Sequence, residues 1–151
     1  MSNPNYVVIS GSCYYFENNS TLNYTNAQLN CQNKFGHLHG GLFEPRLYSI
    51  NQLVYDEAVN FKSATSDDFW LGINDLATQG QYVYASDGQE VVDGMWSSGQ
   101  PNNAADRCAS YYNLLTQYDS NAGWFDRSCD LYKFSICQVL THEGKEGKIY
   151  H

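Results

Sequence analysis

The sequence predicts one small α+β domain that is stapled by disulfides. Three observations support this: a length of 151 residues, five cysteines, and two helix-like segments set among short strand-like runs. A chain of this length can bury one hydrophobic core. Five cysteines in a small domain favour disulfides in an extracellular protein over the alternative, a reduced cytosolic protein with buried thiols.

Charge and hydropathy argue against several classes of function. A net charge of −8 disfavours nucleic acid and anionic lipid as partners, since both require a basic face. No stretch approaches the roughly 18 apolar residues of a membrane helix, and the apolar run at 7–9 is too short for a signal-peptide core. We therefore expect no nucleic acid, no membrane insertion, and a secreted form whose signal has been removed.

Glycosylation sequons add modest support for an extracellular location. Three of them lie near the start of the chain, beginning at Asn18, Asn19 and Asn23, and the first two overlap. The sequence is therefore typical of a glycoprotein.

The first fifth of the chain predicts a strand, a turn and a helix. Apolar residues at 7 and 9, a glycine at 11 and an aromatic run at 14–16 indicate the strand and turn. Ala27, Cys31 and Phe35 then repeat every four residues, which predicts a helix that Thr25 caps and Gly36 ends.

A second helix is marked by a proline and a one-sided apolar pattern. Pro45 is placed at its start, where a missing N–H costs nothing. The residues predicted on its buried face are Leu47, Ile50, Val54, Ala58 and Phe61.

The rest of the chain alternates short strands with a long loop. Strands are predicted at 69–73, at 82–84 with a stop at Asp87 and Gly88, and at 133–138. Residues 91–121 are dense in Gly, Ser, Asn, Asp and Pro and predict a loop. A loop of that length inside a compact domain favours a functional role, with Trp96, Cys108 and Trp124 as anchors.

Taken in order, several short motifs resemble the C-type lectin domain family, over roughly residues 5 to 139. The motifs are Cys13-Tyr14-Tyr15-Phe16, Cys31, Gly40-Gly41-Leu42-Phe43-Glu44-Pro45-Arg46, Trp70-Leu71-Gly72-Ile73, Gln100-Pro101-Asn102, Cys108, Trp124-Phe125-Asp126, Cys129 and Cys137. No single motif is decisive, but their order along the chain is specific.

The resemblance implies a fold and a disulfide pattern. The fold is α+β, with two helices flanking antiparallel sheets and a long loop region. The implied disulfides are Cys31–Cys137 and Cys108–Cys129. The implied division is a single domain at 1–139 followed by a polar tail at 140–151.

Cys13 is left over by this pairing. Long-form members of the family pair this position with a cysteine ten residues earlier, where Asn3 stands here. Cys13 is therefore either a partly buried thiol or a link between two chains in a homodimer, and the sequence leaves both open.

The resemblance also implies a Ca²⁺ cofactor. Calcium prefers six to eight oxygen ligands, and the family's principal site implies Gln100, Asn102, Asp106 and Asp126 as ligands here. The Gln100–Pro101 bond is expected to be cis, which turns the flanking amide oxygens toward one point.

The sequence departs from the family's calcium pattern in two ways. Phe125 replaces an asparagine ligand, for which Asn121 is a conceivable substitute, and the loop from Gln100 to Cys108 is short. With two carboxylates, the site is expected to bind calcium nearer millimolar than micromolar strength. A second calcium site of the family is expected to be lost, because only one acidic residue remains among its four positions. Those positions are Asp75, Gln79, Asn103 and Arg107.

The function implied is that of a calcium-dependent lectin, in which two neighbouring sugar hydroxyls complete the calcium shell. Mannose-type members carry Glu-Pro-Asn and galactose-type members Gln-Pro-Asp, so Gln100-Pro101-Asn102 is a hybrid that leans weakly toward galactose. Phe125 and Tyr118 are candidates to face the sugar ring. The ligands expected are galactose-like or mannose-like glycans of microbes or cell surfaces, as in innate immunity.

Two alternatives stay open. The first is a calcium-independent C-type lectin-like domain that binds a protein or another surface, which the phenylalanine at position 125 favours. The second is an enzyme built on His37, His39 or Cys13. No base–nucleophile signature surrounds these residues, so we predict that the chain is not an enzyme.

Overall fold

The computed structural model describes residues 4–35, 38–63, 68–119 and 122–140. Over these residues the chain forms two α-helices and eight β-strands. In chain order they are β1 (Tyr6–Ile9), β2 (Ser12–Leu22), α1 (Tyr24–Lys34), β3 (Gly40–Leu42), α2 (Tyr48–Phe61), β4 (Phe69–Asn74), β5 (Val83–Tyr84), β6 (Cys108–Tyr111), β7 (Trp124–Arg127) and β8 (Lys133–Val139).

All eight strands join one sheet, and the predicted α+β class is confirmed. The strand order is β1-β2-β8-β4-β6-β7, with β3 paired to β8 and β5 paired to β4. The expectation of purely antiparallel pairing is wrong at one place, because β4 and β8 run parallel. The chain between these strands passes through β5, β6 and β7, so the pair is joined by a long crossover rather than a hairpin.

Helix α1 begins earlier than the sequence suggested. Its N-cap is Asn23, whose side-chain oxygen accepts a hydrogen bond from the backbone N–H of Asn26 at 3.0 Å. Thr25 lies inside the first turn, so its prediction as the cap was wrong. Asparagine caps at least as well as threonine, and the earlier residue satisfies an otherwise unpaired donor. The helix ends at Lys34 with Phe35 as its C-cap residue, and the predicted stop at Gly36 lies outside the described residues.

Helix α2 begins later than predicted. Pro45 precedes it in extended chain, and Leu47 is the N-cap residue with 63% of its surface exposed. The placement of Leu47 on the buried face was therefore wrong, because the cap lies outside the helical turn that faces the sheet. The other residues predicted on that face do pack on the core: Ile50, Val54, Ala58 and Phe61.

The core has two parts, one on each side of the sheet. The larger part packs α2 against many aromatic rings, and the smaller part lies under α1 around Trp70. The indole N–H of Trp70 donates to the carbonyl of Leu22 at 2.9 Å, which ties β4 to the end of β2. The structure contains both expected disulfides, Cys31–Cys137 and Cys108–Cys129.

The long loop region contains a strand that the sequence did not reveal. Residues 91–121 were predicted as loop throughout, but Cys108–Tyr111 forms β6, and all four of its residues are buried. The prediction was wrong here because burial comes from neighbouring strands rather than from the local pattern. Two of the predicted anchors do meet, since the rings of Trp96 and Trp124 lie 5.4 Å apart.

Two further expectations concern the C-terminal residues and the membrane. The division of the chain at residue 139 stays a prediction, since residues 141–151 lie outside the described residues. At residue 140 the backbone N–H of Leu140 still donates to the carbonyl of His39. Among the described helices none is long and apolar enough to cross a membrane.

Candidate ligand-binding site

The loop from Gln100 to Asp106 begins with a cis bond between Gln100 and Pro101, as predicted. The turn before it is closed by the backbone N–H of Gln100, which donates to the carbonyl of Ser97 at 2.9 Å. The N–H of Ser97 in turn donates to the carbonyl of Trp124 at 2.9 Å. The start of the loop is therefore fastened along the outer edge of β7.

Asp126 is the side chain that holds the loop in place. Only 3% of this residue is exposed. Its two carboxylate oxygens accept from the backbone N–H of Asn102, both at 3.1 Å, and one of them also accepts from the N–H of Asn103 at 2.8 Å. Hydrogen bonds to a charged acceptor are stronger than neutral ones, so one buried carboxylate fixes two successive residues of the loop.

The other predicted ligands are connected to Asp126 either directly or through Asn103. The side-chain oxygen of Gln100 accepts a long hydrogen bond, at 3.4 Å, from the backbone N–H of Asp126. The N–H of Asp106 donates to the carbonyl of Asn103 at 2.9 Å, which closes a tight turn after Asn102. The structure therefore joins Gln100, Asn102 and Asp126 directly and links Asp106 to them through Asn103.

The hydroxyl of Tyr82 lies beneath this loop, and nearby charged groups shift its pKa. Its hydroxyl donates to the backbone carbonyl of Asp106 at 2.9 Å. Burial raises the pKa of Tyr82, and the negative charges of Asp75, Asp126 and Asp106 raise it further, while Arg107 opposes them. Three carboxylates thus act on the pKa of one hydroxyl, and the guanidinium of Arg107, which pairs with Asp75, offsets part of their charge.

The donor chemistry of the loop fits a hard cation. Gln100, Asn102, Asp106 and Asp126 present carboxylate and amide oxygens, the atoms that Ca²⁺ prefers. A carboxylate has about four acceptor positions, and the loop amides use three of those on Asp126. Among the described residues there is no cluster of three or more His, Cys, Asp or Glu side chains suited to a metal. The site is therefore rich in oxygen but poor in charge.

The second calcium position of the family is filled by an internal ion pair. Asp75 accepts from the guanidinium of Arg107 at 2.8 Å and from the backbone N–H of Gly80 at 2.7 Å. The same guanidinium donates to the carbonyl of Asp75 at 2.6 Å. Arg107 thus supplies the positive charge that a metal ion would bring to this carboxylate.

The two amide side chains of that second position serve local structure. The side-chain oxygen of Asn103 accepts from the N–H of Ala105 at 3.0 Å. The amide of Gln79 donates to the carbonyl of Ala104 at 3.2 Å. Both contacts hold the short loop, and the loss of the second calcium site stays a prediction.

The two aromatic candidates for sugar contact lie in different places. Phe125 is half-buried and packs edge-on against Tyr112, with ring centroids 5.0 Å apart. Tyr118 lies against α2 instead, with its ring 5.1 Å from that of Tyr55 and its hydroxyl accepting from the amide of Asn51 at 3.2 Å. Tyr118 therefore contacts α2 through both its ring and its hydroxyl, and its role as a sugar contact stays a prediction.

Asn51 is a key residue that the sequence analysis missed. It is fully buried on α2, and its side-chain oxygen accepts from the hydroxyl of Tyr111 at 2.6 Å and from the indole N–H of Trp124 at 3.2 Å. One amide thus connects α2 to β6 and β7. The signal was present, since Asn51 is a polar residue on an otherwise apolar helix face.

The remaining candidates lie away from the loop. Cys13 belongs to β2, outside both disulfides, and burial raises the pKa of its thiol although the positive N-terminus acts in the opposite direction. His39 precedes β3, while His37 and the substitute ligand Asn121 lie outside the described residues. The structure therefore does not bring Cys13 or His39 to the loop.

Comparison with known proteins gives consistent matches. A family model described as the lectin C-type domain matches residues 20–139. C-type lectin domain family 4 member M of Gorilla gorilla gorilla is 29% identical over 135 residues, covering 87% of this chain and 31% of the relative. The chain thus spans about a third of that relative. An alpha-N-acetylgalactosamine-specific lectin of Patiria pectinifera is 26% identical over 140 residues, covering 91% of this chain and 80% of the relative.

Solved structures show the same fold. The C-type lectin CEL-I from Cucumaria echinata matches with a TM-score of 0.75 and 18% identity, covering 93% of this chain and 98% of that one. A calcium-independent type II antifreeze protein matches with a TM-score of 0.65 and 21% identity, covering 91% of this chain and 93% of that one. At these identities the matches establish the fold alone.

Proposed function

This chain belongs to the C-type lectin domain family, and we propose that it binds carbohydrate at the loop from Gln100 to Asp106, with a calcium ion as cofactor. One observation carries the proposal: the buried carboxylate of Asp126 holds the two residues that follow the cis proline turn. The loop is thereby organised before a ligand arrives, which lowers the entropic cost of binding.

The mechanism assigns a task to each side chain. Gln100, Asn102, Asp106 and Asp126 would hold the ion. When bound, calcium supplies coordination positions for two neighbouring sugar hydroxyls. The two amides both donate and accept hydrogen bonds, whereas the two carboxylates only accept them. The order of donors and acceptors around the loop therefore selects the stereochemistry of the hydroxyl pair.

We propose galactose-type sugars as the preferred class. Gln100 at the first position of the triplet supports this preference, and so does the 26% identity to a lectin whose name specifies alpha-N-acetylgalactosamine. Glycans of microbes or cell surfaces are the proposed targets. Weak single sites of this kind gain useful avidity when several copies act together.

A glycan array tests the proposal, run once with calcium and once with a chelator. We expect galactose-type glycans to bind only with calcium, and Asp126→Asn to abolish that binding because the loop loses its charged acceptor. Asp130→Asn is the matched control, since Asp130 is exposed and its backbone N–H bonds to the hydroxyl of Ser128 nearby. Full calcium-dependent binding by Asp126→Asn would refute the site.

A calcium-independent surface-binding domain is the second candidate, and Phe125 favours it because its side chain offers no oxygen to a metal. The fold match to a calcium-independent type II antifreeze protein supports keeping this second candidate. The Phe125→Asn variant separates the two candidates. For the calcium lectin we expect calcium affinity to rise several-fold, read by calorimetry; for the alternative we expect ligand binding to ignore both calcium and chelator.

Secretion remains a proposal, and the structure singles out one of the three sequons for testing it. The side chain of Asn18 bonds to the carbonyl of Phe61 and to Asn5, and that of Asn23 caps α1. Asn19 is exposed on β2 and is the acceptor we expect to be glycosylated. Expression through a secretory pathway should give a glycosidase-sensitive mass shift that Asn19→Gln removes. A shift that persists in Asn19→Gln would show that another sequon is used.

Dimer formation through Cys13 also remains a proposal. A raised thiol pKa lowers the fraction of reactive thiolate at neutral pH, so we expect any interchain disulfide to form slowly. Non-reducing electrophoresis of the wild type and of Cys13→Ser measures it directly. A dimer band that survives in Cys13→Ser would place the contact elsewhere.

A further inference from the structure

The segment that leads to the loop contains an aspartate–glycine pair whose glycine is required by packing. A Cβ atom added to Gly94 would lie 2.5 Å from Nε1 of Trp96 and 3.1 Å from a ring carbon of Trp124. Side chains do not approach so closely, so only glycine fits beside the two indoles. The residue before it, Asp93, is exposed and has a backbone φ of 59°. Packing therefore fixes an Asp–Gly sequence at the surface.

An aspartate followed by glycine can react with its own backbone. The backbone nitrogen of Gly94 attacks the side-chain carboxyl carbon of Asp93, a C–N bond forms, and the carboxyl OH leaves as water with the amide proton. Glycine permits this closure because it has no Cβ to block the approach. Water then opens the five-membered ring by breaking one of its two C–N bonds to carbonyl carbons. When the main-chain bond breaks, the chain runs through the former side chain, and the product is isoaspartate of unchanged composition.

The chain has a second pair of this kind, Asp87–Gly88, and the fold protects it. The Asp87 carboxylate accepts from the guanidinium of Arg46 at 3.0 Å and from the backbone N–H of Gln89 at 2.9 Å. The N–H of Gly88 donates to the carbonyl of Tyr84 at 2.8 Å. Both reacting groups are therefore engaged in hydrogen bonds, which have to break before the ring can close.

The pair Asp93–Gly94 lacks this protection. Within the part of the chain that the structure describes, the Asp93 carboxylate has no ion-pair or hydrogen-bond partner, and the N–H of Gly94 donates to no acceptor. Val92, which precedes the pair, is 74% exposed. The carboxyl group can therefore rotate toward the nitrogen without breaking a hydrogen bond of the fold.

The position of the pair gives the reaction a structural consequence. Isoaspartate lengthens the chain by one carbon–carbon bond, about 1.5 Å. The residues that follow are fastened to β7, because the N–H of Trp124 donates to the carbonyl of Met95 at 3.1 Å and the N–H of Ser97 donates to the carbonyl of Trp124 at 2.9 Å. A close-packed contact cannot absorb the added length, so Trp96 is displaced from Trp124.

We propose that Asp93–Gly94 is a site of spontaneous modification, the one of the two Asp–Gly pairs that the folded protein converts to isoaspartate, and that the conversion loosens the contact between Trp96 and Trp124. Ring closure releases one water molecule and ring opening takes one up, so no other reactant is needed. The product carries a free main-chain carboxylate, the group that an isoaspartyl carboxyl methyltransferase takes as its substrate. The inference is independent of the proposed lectin function.

Ageing the folded protein in water labelled with heavy oxygen tests the modification. Each ring opening adds one heavy oxygen, and digestion after Glu90 places the two Asp–Gly pairs on different peptides. We expect the Asp93 peptide to gain label several-fold faster than the Asp87 peptide and to be the one that the methyltransferase modifies. In urea the two rates should converge, because unfolding removes the contacts of Asp87. Absence of label from the Asp93 peptide, or equal labelling of both peptides in the folded protein, overturns the proposal.

The Asp93→Gly variant separates this modification from general ageing. Glycine adopts a φ of 59° easily, so the variant keeps the backbone conformation while it removes the carboxyl group. We expect quenching of tryptophan fluorescence by acrylamide to rise on ageing in the wild type and to stay constant in Asp93→Gly. Asp130→Asn, which removes another exposed carboxylate, is the matched control and should age like the wild type. Unchanged quenching in wild type that has accumulated isoaspartate would overturn the effect on Trp96.

Discussion

The sheet core, meaning α1, α2 and the strands they cover, and the loop region, residues 91–107, are held together by different means. The sheet core is held by buried rings, such as Phe16 stacked on Phe61 at 4.7 Å, and by the disulfide from α1 to β8. The loop region packs Val91, Met95 and Trp96 on the core, but its part from Gln100 onward is held by individual polar contacts, chiefly those of Asp126 and of the Arg107–Asp75 pair.

The two regions differ in how many contacts stabilise each of them. Apolar burial contributes about 25 cal/mol per Å² and spreads over dozens of side chains, so no single contact in the sheet core controls its shape. The loop region depends on a few charged hydrogen bonds, so each of its anchors controls the geometry of the binding site. Changes in the sheet core should therefore mainly lower stability, and changes in the loop region should mainly alter ligand binding.

The two disulfides give the largest expected effects and the strongest test of that contrast. They link residues separated by 106 and 21 positions. Chain entropy then predicts a loss of about 4–5 kcal/mol for Cys31→Ser with Cys137→Ser, and about 3 kcal/mol for Cys108→Ser with Cys129→Ser. Urea unfolding measures both. We expect sugar affinity to be retained in the Cys31→Ser, Cys137→Ser variant and lost in the Cys108→Ser, Cys129→Ser variant. Retained affinity in both variants would contradict the contrast between the two regions.

Asn51→Ala probes the polar exception inside the sheet core. The substitution leaves the hydroxyl of Tyr111 and the indole N–H of Trp124 without their buried acceptor, which we expect to cost about 3 kcal/mol in unfolding free energy. Asn60→Ala on the same helix is the matched control, because Asn60 is exposed and should change stability by at most about 0.5 kcal/mol. Equal losses in both variants would show that the hydrogen bonds of Asn51 do not stabilise the contact of α2 with β6 and β7.

Arg107→Met probes the loop region by leaving the buried carboxylate of Asp75 without its counter-ion. Removing one partner of a buried ion pair lowers the free energy of unfolding by about 3–5 kcal/mol. We expect a loss of about 2 kcal/mol here, measured by urea unfolding, because the Arg107 side chain is 31% exposed. Adding Asp75→Asn should restore part of the loss in a double-mutant cycle. Strict additivity of the two variants would show that the pair is not coupled.

Asp87 gives the smallest effect and a defined pH dependence. Partial burial acts to raise the pKa of its carboxyl, but the N–H of Gln89 and the guanidinium of Arg46 outweigh it and lower the pKa. The folded state therefore binds protons less readily than the unfolded state, so the stabilisation is present above pH 4 and disappears as pH falls through the folded-state pKa.

The size of that effect is limited by exposure. The Asp87 side chain is 46% exposed, so Asp87→Asn should cost at most about 0.5 kcal/mol at pH 7, and this cost should vanish as the pH falls from 7 through the folded-state pKa. Thermal melts of both proteins across that range provide the measurement. A difference that grows toward low pH would contradict the sign.

The sheet core could be predicted from the sequence better than the loop region, and the reasons are physical. Helix α2 and the buried strand β4 follow apolar patterns that are local to each segment. The α1 cap was misplaced because Asn23 and Thr25 are both competent capping residues two positions apart. Strand β6 was missed because its short sequence, Cys-Ala-Ser-Tyr, carries little pattern of its own.

At the site, residue types could be predicted but not their partners. The resemblance supplied Gln100, Asn102, Asp106 and Asp126 together with the cis bond. It could not show that the Asp126 carboxylate accepts from loop amides, because that depends on three-dimensional distances between segments 23 to 24 residues apart. The pairing of Arg107 with Asp75 spans 32 residues and was likewise invisible in the local sequence.

The indole of Trp96 gives the loop region an optical signal of its own. The chain has three tryptophans; Trp70 and Trp124 are fully buried, whereas Trp96 is partly exposed. Its ring lies 4.8 Å from Tyr82, beneath the loop, and 5.4 Å from Trp124. Emission that shifts with solvent exposure should therefore come chiefly from Trp96, so ligand arrival is observable by native fluorescence without any added dye.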